Sequence, residues 1–340
     1  YIAEFNKTNP TISIDHEQVG SYDDVRDQIT TELQAGKQPA IAYCYPDHVA
    51  SYLRSKKVID LNTYIHSADP TVALTQAQID DFIDGYYAEG TQFGDETKMY
   101  SLPFSKSTEV LYYNKTFFDE NELTVPTTWD QMEELCAKIK KIDPNSVPLG
   151  YDSEANWFIT MTEQLKTPYT SAGTDHYLWD TAENKAFITR FTEWYTKGYL
   201  TTQKLYGGYT SGLFVNQEAD KDGKIIRSYM SIGSSAGATH QAPDKTDAGT
   251  YPFETGIAPI PQIDAENNPK VISQGPSLCL FDQKDDAVEA AAWQFVKFLL
   301  TSADFQAEFS MASGYVPVLE SVLENSAYQT FLADANGYDE

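Results

Sequence analysis

Positive charge is scarce in this sequence. Lys and Arg number 24 of 340 residues against 50 Asp and Glu, giving a formal net charge of −26 with His neutral. Binding to nucleic acid requires clustered Lys and Arg against phosphate, so the balance argues against such a partner. It argues equally against an anionic membrane surface. Long apolar runs are also missing, and none reaches the roughly 18 residues that a bilayer-spanning helix needs. Cysteine is rarer still. Cys44, Cys136 and Cys279 are far apart, odd in number and without a CxxC pair. That argues against a disulfide framework or a zinc site and predicts three buried small side chains.

Motifs for chemistry are thin. The sequence holds no G-x-x-x-x-G-K-[ST] and no G-x-G-x-x-G, and His16, His48, His66 and His176 fall at no metal-binding spacing. Asp220-Lys221-Asp222-Gly223 and the group Asp334, Asn336 and Gly337 lack the remaining ligands of a calcium loop and read as solvated acidic loops. Gly233-Ser234-Ser235-Ala236-Gly237 fits the G-x-S-x-G pattern of a nucleophile elbow after a strand. The triad then requires an acid and a His in that order downstream. Only His240 follows, with no acid between, so a serine hydrolase is disfavoured. A glycosidase pair of carboxylates is neither shown nor excluded by 50 acidic residues. The sequence thus predicts no catalytic residue, no metal and no cofactor.

What is present is a 41% apolar, Tyr-rich chain with 23 Tyr, long enough for about two domains. Tyr1 to Phe5 reads as the back half of a helix, which implies that sequence precedes it. Thr11–Asp15 alternates as a strand. Ser21 caps a helix with Asp24 at the third position, and Gly36 stops it. Residues 39–45 read as a buried parallel strand, and Asp47 opens the next helix. Strands are expected at Glu109–Tyr113, Ile225–Ile232, Gly256–Ile260 and Ser277–Phe281. Helices are expected from Trp129 with Met132, Cys136 and Ile139 inward, and over Asn184–Lys197 with Phe187, Phe191, Trp194 and Tyr195 inward. A third covers Ala287–Leu300 with Val288, Ala292, Phe295 and Leu299 inward, and a fourth runs from Phe305. Strand and helix alternate, which is the grammar of an α/β fold.

In open α/β sheets ligands bind beyond the strand carboxyl ends, near free helix N–H groups. Segments of that form carry polar or aromatic side chains: Gly20-Ser21-Tyr22, Tyr45-Pro46-Asp47-His48, Pro103 to Ser107, Ser234-Ser235, Gly275-Pro276-Ser277 and Gly314-Tyr315. Tyr and Trp offer a flat apolar face with a polar tip, suited to a sugar ring. Lys106 and His48 are the only cationic side chains among them.

At these residues the sequence resembles the extracellular solute-binding proteins of ABC importers, in the carbohydrate-binding family, closest to the branch containing the glycerol-3-phosphate-binding protein. The resemblance rests on Phe5 to Pro10, Gly20 to Asp23, Gly36 to Ile41, Leu102 to Lys115, Pro126 to Trp129, Ser273 to Ser277 and Ser313 to Val318, in family order. It implies a two-lobed periplasmic-binding-protein-like fold of type II, with ligand in a cleft between lobes joined by hinge strands. Lobe one would be residues 1–108 plus 271–312, and lobe two residues 109–270 plus 313–340. The chain would cross near Ser105–Asn114, return near Ile263–Gly275 and cross again near Tyr315. The family's N- and C-terminal ends would lie outside this sequence, a phosphate-binding Arg of the glycerol-phosphate branch among them.

The resemblance places ligand contacts at Tyr22, at Ser105 or Ser107, at Ser234 or Ser235, at Gly275 and at Tyr315. Trp157 falls where the family often has a stacking aromatic. An acidic family contact meets Pro46 here, so either Asp47, beside Tyr45, substitutes for it or the contact is lost. With so few cations a phosphate would be poorly compensated. The expected ligand is therefore a neutral mono- or oligosaccharide, with glycerol-3-phosphate or a phosphodiester as the alternative. The resemblance further implies delivery to ABC permease transmembrane subunits by lobe closure, a monomer, and an extracytoplasmic location, either periplasmic or tethered by a lipid anchor upstream of Tyr1.

Overall fold

The computed structural model describes residues 1–171, 177–215 and 226–333. His176, Ile225, the acidic loop at Asp220–Gly223 and the group around Asn336 lie outside the described residues. In chain order the strands are β1 (Ile41–Cys44), β2 (Leu102–Pro103), β3 (Ser107–Asn114), β4 (Leu149–Tyr151), β5 (Leu200–Thr202), β6 (Met230–Ser234), β7 (Thr255–Pro259), β8 (Ser273–Gln274) and β9 (Ser277–Leu280). The chain divides into two compact units. Unit 1 is Tyr1–Ser107 with Gln274 onward, and unit 2 is Thr108–Ser273.

Unit 1 is built on a three-stranded sheet in the order β1-β9-β2, with both pairings antiparallel. The first helix, Ile2–Thr8, buries Phe5. The second, Tyr22–Ala35, begins with the expected capping box. Ser21 accepts from the Asp24 N–H, Asp24 accepts from the Ser21 N–H, and Gly36 closes the helix at φ 70°. Helix Pro46–Tyr52 buries Val49 and Tyr52 against β1 and β9. Helices Asp286–Leu300 and Ala303–Ser313 cover a second cluster with Trp293, Val296, Leu299 and Phe305 inside. Val288, expected inward, is 43% exposed because it lies in the first turn, ahead of the face that begins at Ala292.

Three expectations for unit 1 need correction. Thr11–Asp15 forms no strand, and no ladder pairs it. β1 is not a parallel strand buried on both faces. It runs antiparallel to β9 with Ala42 and Cys44 inward and Tyr43 outward, so one face is open. Residues 313–333 pack in unit 1, not with the second lobe. Val318, Leu319, Val322 and Tyr328 fill its core, and Lys106 exchanges both backbone hydrogen bonds with Val316. No third crossing occurs at Tyr315.

Unit 2 carries strands in the order β5-β4-β6-β3-β7. β4 pairs parallel with β5 and β6, and β3 pairs antiparallel with β6 and β7. Helix Trp129–Ile142 is capped by Thr128 and buries Trp129, Met132, Leu135, Cys136 and Ile139. Helix Ala182–Thr196 adds Phe187, Phe191 and Trp194, while Tyr195 is 51% exposed, one position past that face. Along β3 the side chains alternate: Leu111 joins this core and Tyr112 a smaller one with Phe214 and Phe253. Glu109, two residues before Leu111, is thereby aimed at the core face. All three cysteines are buried and free, as small core side chains.

Candidate functional site

Unit 1 gathers a tyrosine cluster at the open face of its sheet. Tyr22 stands in the first turn of its helix, directly after the Ser21 cap. Its hydroxyl lies 2.8 Å from that of Tyr315, and its ring meets Tyr45 edge-on with centroids 4.9 Å apart. Tyr315 follows Gly314, whose φ of 75° ends helix Ala303–Ser313 and turns the chain outward. Tyr45, at the end of β1, packs edge-on against His48. Tyr43 reaches the same face from the strand alternation and rests on Phe104.

Burial pushes the Tyr22, Tyr45 and Tyr43 phenols up. For Tyr22 the Tyr315 hydrogen bond adds to it. For Tyr45 the burial and the neighbouring Tyr315 outweigh the Gly275 amide and Tyr22, which pull the other way. Tyr43 is pushed up to about 12. These three phenols are therefore uncharged at any physiological pH, and with Tyr315 they offer hydroxyls and ring faces.

Gly275 and Ser105 form the floor. Gly275 has φ 104°, and a side chain there would collide with the Ser105 carbonyl and the Lys106 backbone. The Ser105 hydroxyl is buried with no hydrogen-bond partner among the described residues.

Lys106 is buried beside them, but its charge is spent. The Nζ is ion-paired with Glu89, lies 3.4 Å from the Gly275 carbonyl and sits 5.8 Å from the Tyr86 ring centroid. His48 is buried as well, and desolvation lowers its pKa toward the neutral form. Neither group presents a free cation.

In unit 2, β6 ends at Ser234 and a tight helical turn follows. The Ser234 hydroxyl accepts from the Ala236 N–H, and its carbonyl accepts from the Tyr112 hydroxyl. The Ser235 hydroxyl accepts from the Thr108 N–H. The G-x-S-x-G run folds as the end of a strand whose Ser234 caps the turn that follows.

Trp157, in helix Glu154–Leu165, packs against Phe187 and Phe191 with centroids 5.3 and 5.0 Å away. Its indole N–H is buried without a partner among the described residues. Below the serines, Glu109 accepts from the Tyr151 hydroxyl at 2.6 Å. Asp152 accepts from the Thr210 N–H and hydroxyl, each at 2.7 Å. Among the described residues no group of His, Cys, Asp and Glu could hold a metal ion, and no helix is long and apolar enough to cross a membrane.

Residues 1–334 match the family model of bacterial extracellular solute-binding proteins. The chain belongs to that family. The sn-glycerol-3-phosphate-binding periplasmic protein UgpB of Escherichia coli K12 is 24% identical, over 98% of this chain and 74% of that protein. Solved structures with the same fold include UgpB from Mycobacterium tuberculosis in complex with glycerophosphocholine, at TM-score 0.76 and 19% identity, over 99% of this chain and 79% of that one. Lmo0181 from Listeria monocytogenes, in complex with cycloalternan, has TM-score 0.76 and 18% identity, over 97% of this chain and 78% of that one. Maltose-bound T. maritima MalE3 has TM-score 0.74 and 15% identity, over 97% and 79%. The fold is the two-lobed α/β fold of periplasmic solute-binding proteins, and the family is one of transport-associated binding proteins.

Of the ten candidate contacts, the structure brings Tyr22, Tyr45, Ser105, Gly275 and Tyr315 together in unit 1. Asp47 has a 75% exposed side chain that lies 3.9 Å from His48. Ser107 is buried at the start of β3. Trp157, Ser234 and Ser235 lie in unit 2. Sequence reasoning missed Tyr43, the Lys106–Glu89 pair and Glu109. The alternation along β1 could have exposed Tyr43. Nothing local pairs Lys106 with Glu89, 17 residues away.

Proposed function

We propose that this protein is the solute-binding component of an ABC importer and that its solute is an uncharged mono- or oligosaccharide. The observation that carries the reading is the charge state of the unit 1 cluster. Tyr22, Tyr43 and Tyr45 are held protonated by burial, Tyr315 adds a hydroxyl, the Ser105 hydroxyl is buried and unpartnered among the described residues, and the lysine beside Gly275 is already neutralised by Glu89. Phenol faces and hydroxyls suit sugar rings and their hydroxyls. A phosphate would need a free cation, and none of the residues touching the cluster offers one. Tyr22, Tyr45, Ser105, Gly275 and Tyr315 are the unit 1 contacts in this reading. Trp157, Ser234 and Ser235 are those of unit 2, with Ser107 the alternative to Ser105. Asp47, exposed beside His48, is the acidic neighbour of this cluster. The chemistry is capture and release with no bond broken, the monomer handing its solute to the permease subunits.

A second reading, a glycerol-3-phosphate or phosphodiester binder, is favoured by the 24% identity to E. coli UgpB. Thermal unfolding against mono- and oligosaccharides, with glycerol-3-phosphate and glycerophosphocholine included, separates the two. A solute at about 100 times its dissociation constant adds about 2.7 kcal/mol, a shift of several degrees. A shift with one sugar class supports the first reading. A shift with the phosphate compounds alone replaces it with the second.

A further inference from the structure

Glu109 is buried at 2% exposure on the core face of β3, two residues before Leu111. Among the described residues its bonded partners are uncharged: the Tyr151 hydroxyl on β4 and the Asn156 side chain in the first turn of helix Glu154–Leu165. No cation is ion-paired with it among the described residues. A buried carboxylate without a counter-charge is costly, and proteins retain such a group where its charge has work to do.

The groups around it make the cost larger. Asp152, following β4, is the charged neighbour and has the same sign. It is itself held by Thr210 and raised by burial. On β6 the facing residue is Ser234, and β7 contributes no ionisable side chain. In the helix, Glu154 turns to the Lys204 N–H instead. In the turn after β6, His240 is exposed. Burial pushes Glu109 up to about 7, Tyr151 and Asn156 opposing and Asp152 adding.

The position of this charge is specific. Glu109 pairs in register with Ser234, and the adjacent Thr108 N–H donates to the Ser235 hydroxyl. Glu109 and Ser234 therefore project from the same face of the antiparallel pair, with Ser235 tied to the residue next to Glu109; the reading above makes both serines solute contacts, and the inference rests on that reading.

We propose that Glu109 sets the charge selectivity of the solute site. Ionised, it opposes any anionic group brought to Ser234 and Ser235 and leaves neutral hydroxyls unaffected. Protonated, it lets an anion approach. Proton and anion binding are then coupled, and such couplings reach about 5- to 150-fold.

The test is a titration of the whole chain with glucuronate, whose carboxylate stays ionised, at about pH 5.5 and about pH 8.5. A neutral sugar panel is measured alongside. The parent should hold glucuronate about fivefold or more tightly at the lower pH, and Glu109→Gln should bind it at the higher pH about as well as the parent does at the lower. Equal affinity at both pH values in the parent overturns the proposal, as does a Glu109→Gln variant that binds the anion no better than the parent, undetectable binding by both included. The parent's own pH dependence decides the matter if the variant does not fold. Failure of every neutral sugar to bind is a separate result that counts against the carbohydrate reading and leaves the glucuronate comparison standing.

Discussion

The hydroxyls of Tyr22 and Tyr315 lie 2.8 Å apart, although the two residues are 293 positions apart in the chain. One sits in the first turn of a helix near the start of unit 1, the other on the turn that ends a helix near its close. That contact joins two candidate solute residues into one surface. Burial and the hydrogen bond to Tyr315 push the Tyr22 phenol up and hold it protonated at working pH. Tyr315→Ala removes a ring and a hydroxyl bond and should weaken solute binding by ~1–3 kcal/mol, by analogy with aromatic anchors. Tyr315→Phe should lose less. Calorimetric titration gives both values, and parent-like binding by the alanine variant would take Tyr315 out of the site.

The Lys106–Glu89 pair predicts a large stability effect without a comparable binding contact. Lys106 is 1% exposed in its side chain and Glu89 20%. Glu89→Gln leaves the buried ammonium without a counter-charge and should cost ~3–5 kcal/mol, read from urea unfolding. Replacing both partners by apolar residues of similar volume should cost much less. If Glu89→Gln is as stable as the parent, Lys106 is not held by that carboxylate.

Stability should also depend on pH through Glu109. Its folded pKa is raised to about 7 from an ordinary value of 4.5. Ionisation therefore disfavours the folded state. The penalty is absent below about pH 4.5, grows through the interval and is complete above about pH 7, reaching on the order of 3 kcal/mol. Glu109→Gln should remove it, so the variant gains on the parent as pH rises. Unfolding midpoints at a series of pH values check this, and parallel curves for the two proteins would refute it.

The aromatic core of unit 2 supplies a control. Trp194 is fully buried between Trp129 and Phe191, centroids 6.4 and 4.7 Å away. Trp194→Ala should cost ~3–5 kcal/mol through lost burial and the cavity left behind. Urea unfolding measures it, and the same variant should retain solute binding under conditions where it is folded.

Much of the fold was legible because its signals are local. The Ser21–Asp24 capping box, the Gly36 stop and the inward faces Phe187-Phe191-Trp194 and Met132-Cys136-Ile139 each need only a turn or two of helix to read. Strand partners are not local. The apolar run 39–45 said nothing of its antiparallel pairing with β9, some 235 residues away, and so Tyr43 was counted as core. The tail after Gly314 was placed in the second lobe by the resemblance, and only its packing of Val318 and Leu319 shows which unit it completes. At the site, Tyr22, Tyr45, Gly275 and Tyr315 were visible as aromatic or glycine positions at element ends. Asp47 was offered as the substitute for an acidic family contact that meets Pro46, and its side chain is 75% exposed. Glu109 sits in a strand that reads as ordinary, and its unusual state comes from neighbours on β4 and in the helix after it.

The central claim is that the solute is uncharged, and direct calorimetric titration tests it. The protein would be titrated with the saccharide giving the largest thermal shift and, separately, with sn-glycerol-3-phosphate. The tyrosine cluster with its neutralised lysine predicts saccharide binding about tenfold or more tighter than the phosphate. Tighter binding of sn-glycerol-3-phosphate, or heat from it alone, would contradict the account.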